Sequence, residues 1–88
     1  MERTVAIVNR LGLHARAAAK LVTMASLFQA DIRVRKGPRE VSGKSIMGVM
    51  MLAAAKGTTV ILDTEGEDAD EAMQALEALI ADRFGEEE

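Results

Sequence analysis

Cysteine, tryptophan and tyrosine are absent from this chain, which has one proline, two phenylalanines and one histidine. Without cysteine there is no disulfide, no thiolate metal site and no cysteine nucleophile, and the fold is indifferent to redox compartment. A reducing cytoplasm is the simplest home. The shortage of aromatics excludes a sheet that stacks RNA bases, because Phe28 and Phe84 both fall in helical segments. Direct nucleic-acid binding is therefore not expected. No apolar run approaches the ~20 residues that span a bilayer, which argues against membrane insertion. Met1-Glu2-Arg3-Thr4 enters a strand pattern at once, without the apolar segment of a secretion signal. At 88 residues and 49% hydrophobic, residues 1–88 are expected to form a single domain with one modest core.

Charge is unevenly distributed. Residues 1–56 carry ten Lys or Arg against three Asp or Glu, whereas residues 57–88 carry one basic and eleven acidic residues. The histidine lies in the basic part, which suits a phosphate or an acidic partner. The acidic Glu65–Glu71 loop and Glu86-Glu87-Glu88 read as solvating runs.

Thr4-Val5-Ala6-Ile7-Val8, bounded by Asn9 and Gly12, reads as a buried strand. The period then changes. Ala18, Leu21, Val22 and Ala25 recur at i, i+3, i+4 and i+7, which predicts a helix from about Ala15 to Leu27 with His14 at its N-cap or first turn. Ile32–Lys36 and Arg39–Gly43 alternate apolar and polar residues on either side of Gly37-Pro38, a hairpin pattern. Ser45 can cap a short helix over the methionine-rich run to Ala53, ending before Lys56-Gly57. Thr58–Asp63 is a last strand, stopped by Gly66. Asp68 and Glu71 have capping-box spacing, and Ala72, Met73, Leu76, Leu79, Ile80 and Phe84 mark the inner face of a final helix.

The order βαββαβα predicts an α/β (α+β) fold, an open-faced two-layer sandwich whose four-stranded, largely antiparallel sheet carries three helices on one face. Periodicity does not set the strand order. A metal chaperone on such a scaffold would need soft ligands, and without cysteine six methionines would have to supply them. No metal or cofactor is expected. A hydrolase would need a base and an orienting group converging in a pocket that so small a domain scarcely offers. A carrier whose histidine is modified by a larger partner requires only one reactive side chain.

Gly12-Leu13-His14-Ala15-Arg16 supplies it. A positive helix end disfavours imidazolium, keeps the ring nucleophilic and then favours the anionic product. Backbone N–H groups of Ala15, Arg16 and Ala17 could donate to phosphoryl oxygens, and Arg16 could add charge-assisted bonds of about 1.5–3 kcal/mol each. Gly12 would let the backbone turn and approach closely. On spacing alone, however, a lone histidine at a helix start is more often an ordinary cap.

Gly12-Leu13-His14-Ala15-Arg16 together with Lys44-Ser45-Ile46-Met47-Gly48-Val49-Met50 resembles HPr, the histidine-containing phosphocarrier family of the bacterial phosphoenolpyruvate-dependent sugar phosphotransferase system. The match runs from about Thr4 to Ile80. The resemblance implies that His14 accepts a phosphoryl group, through Nδ1, from phosphorylated enzyme I and passes it to the A component of a sugar permease, assisted by Arg16. It implies that the chain is a phosphocarrier and not an enzyme. Ser45 matches the serine that an ATP-dependent HPr kinase/phosphorylase modifies in many Gram-positive bacteria, recruiting a catabolite-control transcription regulator. A helix N-cap explains Ser45 without regulation. Ala17 stands where the family usually has proline. Lys20, Thr23 and Met24 of the first long helix, with Met47 and Met50, are the expected partner surface, since flexible thioethers suit several partners. A monomer is the default for a transient carrier. The alternative is a regulatory, nitrogen-linked or carbon-control relative that acts mainly by binding partners.

Overall fold

The computed structural model describes all residues, Met1–Glu88. Its order is β1 Glu2–Ala6, α1 Ala15–Ala25, β2 Asp31–Lys36, β3 Arg39–Ser42, α2 Ile46–Met51, β4 Thr59–Glu65 and α3 Ala69–Ala81, followed by a single turn at Arg83–Gly85. The four strands form one antiparallel sheet in the order β1-β4-β2-β3. This is the open-faced sandwich predicted from the element order.

The two sequence periods explain the layers. Ile32 and Val34 on β2, and Val60, Leu62 and Thr64 on β4, alternate into the interior. Ala17, Ala18, Leu21, Val22 and Ala25 of α1 and Ala72, Met73, Leu76 and Ile80 of α3 close over them. On the opposite face Arg35 binds Glu2 at 2.8 Å, Glu40 at 3.4 Å and Asp63 at 3.5 Å.

Four expectations are corrected. The first strand is not buried: β1 is an edge strand and only Val5 is half-covered, because it pairs with β4 alone and the helices cover mainly the central strands. Beyond it Ile7 and Asn9 are buried. The first helix stops at Ala25, and Phe28 lies in the turn that follows, not on a helix. Asp68 does not close a capping box, since its side chain makes no bond to its own helix. Its two oxygens instead accept the N–H groups of Gln29 and Ala30, each at 2.8 Å. Those bonds, Gln29 first, hold its carboxyl below the usual range against desolvation, and tie the α1–β2 loop to the start of α3.

The fourth correction concerns the end of the chain. Phe84 is fully buried, yet it does not continue the inner face of α3. Arg83, Phe84 and Gly85 have φ of 56°, 54° and 76°, so the chain reverses in a left-handed turn. Leu79 is only partly buried. No helix is long and apolar enough to cross a membrane.

Candidate functional site

His14 is the N-cap of α1, with extended backbone at φ −69° and ψ 176°. Its side chain does not cap the helix. The first helical bond runs from the Ala18 N–H to the His14 carbonyl, so the N–H groups of Ala15, Arg16 and Ala17 have no helical acceptor. There is no acidic residue in that first turn to compete for them.

The loop before His14 is held from the other side of the molecule. Gly12 has φ 67°, and a Cβ there would lie 2.4 Å from the Ala54 carbonyl oxygen. The Leu13 N–H donates to that same oxygen at 2.9 Å. Gly12 is thus required, as its position suggested, but the close approach is to the chain leaving α2 and not to a ligand.

The imidazole has a partner that sequence reasoning missed. His14 Nε2 lies 2.5 Å from Oε2 of Glu86. The buried Asn9 side chain donates through Nδ2 to Glu86 Oε1 at 2.9 Å and to the Gly12 carbonyl at 2.8 Å, binding tail and loop together. Asn9 Oδ1 is buried without a partner. Arg10 Nε meets Glu88 at 2.8 Å. The acidic tail is therefore not simply a solvating run. The Glu86 side chain is 14% exposed, and Glu88, though 68% exposed, is tied to Arg10. The Asn9 bond, then the His14 bond, hold the Glu86 carboxyl below the usual range, outweighing desolvation. The available signal was charge: the acidic end complements the basic part that contains the histidine.

Arg16 is exposed and lines the same cleft as His14, with Arg10, Leu11, Glu86, Glu87 and Glu88. Its guanidinium is in no ion pair. The guanidinium and the imidazole thus line one opening at the N-terminal end of α1, where a helix end favours an anion, beside the carboxylates of Glu86, Glu87 and Glu88.

The expected partner surface is partly assembled. Thr23 is exposed and Met24 half-buried, and they share an apolar groove with Lys20, Ala19, Leu27 and Leu79. Lys20 is not a free rim charge, because its ammonium donates to the Phe84 carbonyl at 2.6 Å and secures the turn that carries Glu86. Met47 and Met50 lie on α2, outside that groove, at 71% and 40% exposure. Ser45 caps α2, its Oγ accepting the Gly48 N–H at 3.0 Å. No group of His, Asp and Glu side chains is arranged to hold a metal ion.

Comparison with known proteins gives a consistent result. The family model described as PTS HPr component phosphorylation site matches residues 1–82. The phosphocarrier protein HPr of Cupriavidus necator is 56% identical over 88 residues, covering 100% of this chain and 99% of the relative. The phosphocarrier protein NPr of Shewanella violacea is 45% identical over 86 residues, covering 98% and 94%. The crystal structure of HPr-C-His from Thermoanaerobacter tengcongensis superposes with a TM-score of 0.96 at 48% identity, covering 100% of this chain and 99% of that one.

Proposed function

The chain belongs to the HPr family of phosphotransferase-system phosphocarriers, and from that premise we propose that His14 accepts a phosphoryl group from phosphorylated enzyme I and passes it to the A component of a sugar permease. The observation that carries this reading is that His14 and the unpaired Arg16 line one opening at the start of α1, whose first N–H groups, those of Ala15, Arg16 and Ala17, have no helical acceptor.

In the receiving step Nδ1 attacks phosphorus, the Nδ1–P bond forms and the donor–phosphorus bond breaks. The helix end and Arg16 stabilise the charge on the phosphoryl oxygens. The onward step reverses the roles, with His14 as leaving group. Residues 1–88 act as one carrier domain that is a substrate of larger enzymes and not a catalyst. Exposed Thr23, Met47 and Met50, with Met24 in the groove, offer weak apolar docking to successive partners.

Ser45 is the proposed site for an ATP-dependent HPr kinase/phosphorylase, whose product would recruit a catabolite-control regulator. A phosphoserine is tolerated at a helix N-terminus, so its effect falls on docking and not on the fold. Ser45→Asp should stay folded and be phosphorylated more slowly by enzyme I; an unchanged rate rejects this role.

The test of the main reading is incubation with phosphoenolpyruvate and enzyme I. The expected product is acid-labile, alkali-stable phosphate on His14 that is absent in His14→Ala. Label persisting in that variant, or no label in the wild type, defeats the reading.

A further inference from the structure

We infer that Glu86 is a positioning residue for His14, its carboxylate holding the proton of the ring on Nε2 so that the Nδ1 lone pair faces the incoming phosphoryl group. The inference rests on the phosphoacceptor reading above and adds a part that lies 72 residues away along the chain.

A carboxylate only accepts, so the nitrogen it contacts must carry the hydrogen. Glu86 Oε2 contacts Nε2 at 2.5 Å, so in the neutral ring the hydrogen sits on Nε2 and Nδ1 keeps its lone pair. The carboxylate is itself oriented, because Asn9 Nδ2 donates to Oε1 at 2.9 Å from a fully buried side chain. Two further anchors set the position of Glu86. Lys20 binds the Phe84 carbonyl at 2.6 Å, and Phe84 is buried in the core. The backbone reaches this place only through left-handed φ at Arg83 and Phe84, a conformation that costs about 1–2 kcal/mol per non-glycine residue. A tail that merely solvated its surface would have no reason to retain it.

The same contact serves the chemistry. As Nδ1 gives its electron pair to phosphorus and the donor–phosphorus bond breaks, positive charge spreads to Nε2–H, and the adjacent carboxylate balances it. The Nε2 proton stays in place throughout. In the onward step the ring departs as a neutral imidazole still protonated on Nε2, ready for the next cycle.

The test compares wild type, Glu86→Ala and Glu86→Gln by 15N NMR of the His14 ring and by the rate of phosphorylation with phosphoenolpyruvate and enzyme I. In the wild type Nδ1 should show an unprotonated resonance and the Nε2 proton should be slow to exchange. Glu86→Ala should lose that slow exchange. Glu86→Gln has one acceptor oxygen for two donors, so it should shift the tautomer toward Nδ1–H. Both variants should transfer more slowly, about tenfold, as expected when an imidazole loses its orienting partner. Faster transfer in Glu86→Ala would make the tail a plug and overturn the inference, and unchanged rates and ring signals would overturn it equally. A wild-type chain that takes no phosphoryl group overturns the carrier reading itself, whereas normal wild-type transfer with unaffected variants overturns only the role of Glu86.

Discussion

Glu86 and His14 meet at 2.5 Å although one belongs to the acidic end of the chain and the other to the loop between β1 and α1. The contact depends on Phe84 for its anchor, on Lys20 for the turn and on Asn9 for its orientation.

Acid should detach the tail from the histidine. The Glu86 carboxyl is held below the usual range by Asn9 first and His14 second. A carboxyl with a lowered folded pKa contributes stability that is complete above its unfolded value, about 4.3, and is lost as pH falls through the folded value. The side-chain carbon of Glu86, followed by NMR, should therefore titrate below the free glutamate value of about 4.3. A midpoint at the free value would show that the contact is not formed in solution.

Phe84→Ala should destabilise the fold by about 3 kcal/mol, the cost of emptying a fully buried aromatic site. Urea denaturation measures the loss. The tail should also come free, so the Nε2 proton of His14 should exchange faster in this variant. A stable variant with an undisturbed ring would contradict the anchoring role.

At Gly12 an added methyl meets the Ala54 carbonyl at 2.4 Å, and φ is 67°. Gly12→Ala should cost about 2 kcal/mol or more and lower the melting temperature by roughly 8 °C or more. A melting temperature equal to wild type would mean that the loop before His14 is not pinned to the end of α2.

Ala53 offers the opposite case. It ends α2 with φ 51°, while Lys36 Nζ binds the Leu52 and Ala53 carbonyls at 3.0 and 3.3 Å and Arg39 binds the Met51 carbonyl at 2.6 Å. Glycine suits this left-handed position after a helix, but it adds freedom to the unfolded chain. Ala53→Gly should therefore gain about 0.5 kcal/mol. Calorimetry should record a melting temperature higher by a few degrees, and a fall would refute the strain.

Ala17→Pro tests the residue that departs from the family pattern. The Ala17 N–H has no helical acceptor, so proline removes no helix bond and the fold should survive. It does remove one donor from the anion-binding turn. Phosphohistidine half-life and transfer rate should both change relative to wild type, and identical values would dismiss Ala17 as a functional difference.

Much of the fold is legible because local patterns report one buried face at a time. The 3.6-residue spacing of Ala18, Leu21, Val22 and Ala25 and the alternation of Ile32 with Val34 led directly to elements that pack as expected. Burial of the first strand was misread because composition is the same for an edge and a central strand, and only pairing distinguishes them. The box at Asp68 failed for a related reason: two N–H groups from another loop offered its carboxylate better partners than its own helix did.

By itself the sequence determined the element order, the place of His14 at a helix start, the capping role of Ser45 and, through two motifs, the family. Only the tertiary structure decided the strand order β1-β4-β2-β3, the left-handed turn at Phe84 and the joining of Asn9, Glu86 and His14. The physical reason is range. Periodicity and capping act within a few residues, whereas the contact at the histidine exists only after the core has buried Phe84 and the turn has carried Glu86 back across the molecule.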